Sequence, residues 1–168
     1  VVTGGRAEGA GVGLVGGVSL QHYGSMVFDA EISADGNTLF LVDGEFVGAA
    51  MPKSADITIA ERDGDRFRRL PESDALMTNI NTDALEYAPA ISSDLLEIFF
   101  TRANLALPSP EPAIYRAIRS SPSEPFGVPE RIAAIVGHVE APTLSADGRS
   151  LYYHKLEGNH YVIYRTTR

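Results

Sequence analysis

The chain has 168 residues, 44% hydrophobic and 21% charged, with a formal net charge of -8. That length suits a single domain able to bury a sizeable core, and the acidic balance has the wrong sign for a surface that tracks nucleic-acid phosphates. No apolar run reaches the length of a membrane span, and the absence of Cys excludes disulfides, thiolate metal sites and Cys nucleophiles.

The opening stretch VVTGGRAEGAGVGLVGG has neither the length nor the flanks of a signal peptide. With no initiator Met, it points to upstream sequence that is removed or lies outside this chain. A short outer strand is expected near 17–20, at Val18-Ser19-Leu20. FDAEISADGNTLFLVD (28–43) then reads as two strands around a Ser-x-Asp turn, ADITIAE (55–61) as a third and Phe67 to Leu70 as a fourth. The segment 73–88 offers Ser73 or Asp74 as a helix N-cap, but its polar middle makes it a loop with one helical turn.

YAPAISSDLLEIFFTR (87–102) opens a second such unit. PAIYRA (112–117) continues it and, after the Pro-punctuated link SSPSEPFGVP, so does Arg131 to Ala134. EAPTLSADGRSLYYHK (140–155) and YVIYRT (161–166) form a third unit, which ends without a fourth strand. Ser33, Ser92 and Ser145 are 59 and 53 residues apart, near the spacing of propeller blades. Ile57, Ile114 and Ile163 correspond in the same register, so the match extends over three strands. The chain is therefore expected to be all-β, with three four-stranded antiparallel units near 28–70, 87–134 and 140–168.

These units resemble the WD40-like propeller repeats of the TolB type, whose pattern is roughly Pro-x-apolar-Ser-Pro-Asp-Gly followed by an apolar strand and an Asp-Ile-Tyr strand. Pro89-Ala90-Ile91-Ser92, Pro142-Thr143-Leu144-Ser145-Ala146-Asp147-Gly148, Ile32-Ser33-Ala34-Asp35-Gly36 and Asp56-Ile57 carry the likeness. Ala34, Ser93 and Ala146 replace the second Pro, Ala30 replaces the first Pro of unit one, and Leu95 replaces Gly in unit two. The resemblance implies a β-propeller for protein docking or ligand binding, in the periplasm or outside the cell. Three blades are too few to close a ring. The chain is then either part of a longer propeller or half of a six-bladed homodimer, in which the Val18 to Leu20 strand of one copy completes the third unit of the other.

The Ser-x-Asp turns read as structural rather than nucleophilic, since three equivalent copies lack a common His partner. Arg62-Asp63-Gly64-Asp65-Arg66 reads as a strand turn rather than a calcium loop. The aromatic pairs Phe99-Phe100 and Tyr152-Tyr153 read as filling between units. The long links are expected to share one rim, where binding residues concentrate. The candidate ligand-binding residues there are Asp29, Asp43, Glu86, Tyr87, Arg102, His138, Glu140 and His154. His138 and Glu140 are two apart on one strand beside His154, a set suited to Zn or Mn if the three converge. The leading expectation is a non-catalytic module binding a protein or extended ligand. The rivals are a metal-assisted carbohydrate lyase or hydrolase, and the propeller part of a larger peptidase.

Overall fold

A computed structural model describes residues 15–16, 25–46, 52–106 and 111–167. The expected outer strand at Val18 to Leu20 lies outside these residues. Strand accounts for 55% of the structure and helix for 3%.

Unit one is the antiparallel meander β2 (Ser25–Ile32), β3 (Thr38–Glu45), β4 (Ser54–Asp63) and β5 (Arg66–Arg69). The two-residue β1 (Val15–Gly16) runs parallel along β5, with Val15 opposite Phe67. Within one chain this N-terminal stretch therefore joins unit one. Unit two repeats the meander in β6 (Leu85–Ile91), β7 (Glu97–Ala103), β8 (Ala113–Ile118) and the short β9 (Glu130–Arg131). Unit three is β10 (Val139–Leu144), β11 (Ser150–Glu157) and β12 (His160–Thr167).

The Ser-x-Asp turns superimpose bond for bond. In each, the Ser hydroxyl donates to the Asp carboxylate at 2.6 Å. The same oxygen accepts the N–H at the start of the next strand, from Thr38, Glu97 or Ser150, at 2.9 Å. Asp35, Asp94 and Asp147 each accept a further amide two residues on. Each serine is thus committed to closing a hairpin, and the nucleophile reading has no support in this geometry. Gly36 and Gly148 sit at φ of 75° and 67°, and Leu95 takes the equivalent place at 63°. Arg119 steadies that irregular turn by donating from Nε to the Leu95 carbonyl at 2.8 Å.

Packing follows the alternation of side chains in the second strand of each unit. Phe40 and Val42 of unit one meet Ile98 and Phe100 of unit two in one core, together with Ile57 and Ile59. Phe99 of unit two meets Leu151 and Tyr153 of unit three in a second. Three of the four paired aromatics therefore fill between units. Tyr152, on the opposite face of unit three, stays 36% exposed.

The link between β5 and β6 does not loop out at the rim as expected. It packs along β4 where β5 stops short. Its one helical turn, α1, spans Ser73–Leu76. Ser73 does not cap it; its hydroxyl accepts the Ile59 N–H at 2.8 Å. Asn81 accepts the Ile57 N–H and donates to the Ile57 carbonyl, both at 2.9 Å, standing in for a strand partner. Leu76, Met77 and Ile80 from this link fill the core between units one and two, with Phe126 from the link after β8. That second link lies at the Ser-x-Asp end, where Arg119 N donates to the Leu96 carbonyl.

Candidate functional site

Each innermost strand carries the same irregularity. The β2–β3 register shifts between Phe28 and Glu31, β6–β7 between Tyr87 and Ala90, and β10–β11 between Glu140 and Thr143. At each shift a non-glycine residue takes positive φ: Asp29 at 48°, Ala88 at 49° and Ala141 at 53°. These are β-bulges, which re-aim the side chains beside them. The second and third bulge amides are satisfied from the preceding unit. Asp29 accepts the Ala88 N–H, and the Thr101 hydroxyl accepts the Ala141 N–H at 2.9 Å.

The residues just before the bulges, Phe28, Tyr87 and Glu140, occupy equivalent positions and line one cleft of about 260 Å³ at the long-loop end. Asp29, Phe46, Pro52 and Leu85 complete its walls. Phe28 and Phe46 meet edge to face with ring centroids 5.9 Å apart. Gly44 makes this possible, because a Cβ there would stand 2.7 Å from the Phe28 ring. Tyr87 donates its hydroxyl to Glu140 at 2.9 Å, and burial first, then the nearby Glu140 carboxylate, raise the Tyr161 phenol. Burial, then the charge of Glu140, hold the Tyr87 phenol far above its ordinary range. Asp29 keeps some contact with solvent, yet partial desolvation raises its carboxyl; Glu140 adds to the rise and the Ala88 N–H opposes it.

Of the residues expected at the site, Asp29, Tyr87 and Glu140 line this cleft, and His138 and His154 flank it through Tyr161. Tyr161 Oη lies 3.1 Å from His138 Nε2, and its ring centroid is 6.1 Å from that of His154. Glu140 and His154 are cross-strand partners. However, among the described residues no group of three or more His, Asp or Glu is arranged to hold a metal ion. Tyr161 instead engages the His138 ring beside Glu140 and His154.

The other candidates are engaged in ion pairs within their own units. Glu86 is fully buried, accepting Thr82 N at 3.0 Å, Thr82 Oγ1 at 2.7 Å and Arg102 Nε at 2.7 Å. Arg102 also donates to the Ile80 carbonyl and lies over the Tyr115 ring, 4.7 Å from its centroid. Asp43 pairs with Arg69 at 3.4 Å. Sequence reasoning missed Phe28, Phe46 and Tyr161. Phe28 was within reach, since it aligns with Tyr87 and Glu140 at the spacing of the serines.

Further clefts lie among the described residues. One of about 540 Å³ lies beside unit two and includes Asp83, Arg102 and Tyr115. Another of about 380 Å³ lies among the Ser-x-Asp turns, whose serines are already engaged as described.

No known protein family's profile matches the chain, and no curated protein matches it. Among solved structures, TolB from Acinetobacter baumannii is similar with a TM-score of 0.55 and 17% identity, over 85% of this chain and 30% of that one. A puromycin-hydrolyzing peptidase from Mycobacterium tuberculosis is similar with a TM-score of 0.51 and 16% identity, over 86% of this chain and 22% of that one. The chain spans under a third of the length of either. The likeness is one of fold, and the fold is that of a TolB-like β-propeller.

Proposed function

We propose that this chain is a non-catalytic propeller module whose long-loop end binds a protein or another extended ligand. The carrying observation is the cleft in which three equivalent inner-strand positions, Phe28, Tyr87 and Glu140, converge beside three bulges. A rigid sheet scaffold presents them, and its repeated serines are consumed by turns. In keeping with the repeat resemblance, the module acts after export, in the periplasm or outside the cell.

A further unit, from a longer chain or a second copy, covers unit three. Its outward face presents Tyr152, Tyr161 at 49% exposure and Ile163 at 69%, on a strand pair whose counterparts in units one and two are buried. Exposed apolar surface of this kind marks an interface. A second reading, the propeller part of a larger peptidase, is supported by the fold match to the puromycin-hydrolyzing peptidase. A Gly-x-Ser-x-Gly segment elsewhere in the complete open reading frame would favour it.

The test is selection of random displayed peptides on the immobilised protein, followed by hydrogen exchange of the complexes. Protection concentrated at residues 25–29, 44–46, 85–88 and 138–141 is expected. Protection confined to the Ser-x-Asp turns, or the absence of any enriched peptide, would sink the reading.

A further inference from the structure

The long-loop cleft has a chemistry more specific than its shape. Its apolar side is aromatic: Phe28, Phe46 and Tyr87. Its polar side holds two carboxylates, Asp29 and Glu140, close enough for the charge of Glu140 to act on Asp29. No Lys or Arg is among its described lining residues. Neither carboxylate takes part in an ion pair among the described residues, although Arg102, Arg69, Arg116, Arg68 and Lys53 are all paired. Two neighbouring carboxylates without a counter-cation repel each other, and an aromatic wall attracts cations through its ring faces. The volume, below the usual 300 to roughly 1,000 Å³ of small-molecule sites, fits one side chain or a small amine rather than a large ligand.

Resting on the binding reading above, we propose that this cleft receives a single cationic group, a guanidinium or alkylammonium, seated between Asp29 and Glu140 against Phe28, Phe46 and Tyr87. The Tyr87 phenol already holds Glu140 in place, so the acceptor is oriented before the cation arrives. The cation relieves the repulsion between the carboxylates while its alkyl stem covers the phenylalanines. The module thereby selects partners that present an Arg or Lys side chain at the point of docking.

The experiment is an NMR titration of the whole chain with Nα-acetylarginine amide, with the uncharged citrulline counterpart, and with butylammonium as a free amine. Saturable shifts at Asp29, Tyr87 and Glu140 are expected with the arginine probe, about tenfold or more weaker with citrulline. Glu140→Gln, which keeps an acceptor for the Tyr87 phenol, and Asp29→Asn should each weaken the arginine probe by a similar factor. Binding by the wild-type chain should also fall as salt is raised, a reading independent of any variant. Tighter binding of the arginine probe than of butylammonium assigns the group to a peptide side chain, and the reverse assigns it to a free amine. Equal response to citrulline, no response, or full binding in both variants overturns the proposal. The peptide selection separates this from the wider reading: peptides lacking Arg and Lys that still protect the long-loop end would refute the cation class alone.

Discussion

Three residues at one repeat position, Gly36, Leu95 and Gly148, all adopt positive φ, and only two are glycine. For a side chain carrying a Cβ this conformation costs about 1–2 kcal/mol. Gly36→Val and Gly148→Val should therefore each lower stability by about 1 kcal/mol or more, read as a fall in urea midpoint. At Gly36 the loss is conformational, since the nearest atom to a new Cβ is Arg62 Nη2 at 3.7 Å. Leu95 bears that cost already, but it packs against the core between units one and two. Leu95→Gly trades relief of strain against lost burial of similar size, so its midpoint should stay within about 1 kcal/mol of wild type. A large loss there would show that packing dominates the turn.

At the scale of elements, β4 shows how a short outer strand is compensated. Beyond Arg69 its outer edge is met by the Leu70 amide, which donates to the Ile59 carbonyl, and by side chains, with Asn81 bonding both backbone groups of Ile57. Asn81→Ala leaves those groups without partners in a protected setting and should cost about 1–3 kcal/mol, measured by chemical denaturation. A neutral result would show that water replaces the amide. On the inner side of the same strand, Asp56 stands directly opposite Asp43. Burial first, then the charges of Glu86, Asp43 and Asp74, raise the Asp56 carboxyl, with Arg69 opposing them. A raised acid favours the folded state while protonated, below its ordinary value near 3.8, and that contribution is lost as pH rises through the folded value. Asp56→Asn should hence stabilise the protein at neutral pH, by a few tenths to about 1 kcal/mol, with the gain vanishing in acid. Denaturation midpoints of both proteins across this range check the sign. An equal gain at both extremes would refute it.

For the molecule as a whole, the outward face of unit three decides behaviour in solution. Tyr152, Tyr161 and Ile163 should drive pairing or recruitment of a further unit, so light scattering at micromolar concentration is expected to show a species of at least twice 18.0 kDa. A stable single chain would contradict this. Ile163→Lys, on that face and 69% exposed, should shift the population toward single chains with little effect on folding. In one chain β1 lies along β5, so removal of residues 1–20, which takes away both β1 and the Val18 to Leu20 segment, tests strand exchange separately: only pairing through exchange would be lost.

The order of strands was legible in the sequence because each meander is local. Hairpins with Ser-x-Asp turns at a regular spacing define themselves within a few residues, and Ile57, Ile114 and Ile163 set the register of the third strands. The single helical turn was legible for the same reason, as a polar stretch with too little apolar spacing for more. The site was only partly legible. Asp29, Tyr87 and Glu140 could be placed at the long-loop end, but their meeting depends on bulges at Asp29, Ala88 and Ala141, and alanine carries no positive-φ signature in sequence. Tertiary packing supports that conformation at Ala88 and Ala141 by supplying their amides with acceptors from the preceding unit. Packing likewise separated Glu86 and Arg102 into a buried ion pair and set Tyr161 against the His138 ring. Spacing along a chain tells which face a side chain occupies. Which partner reaches it first is decided by neighbours far away in sequence, whose distances exist only in the folded molecule.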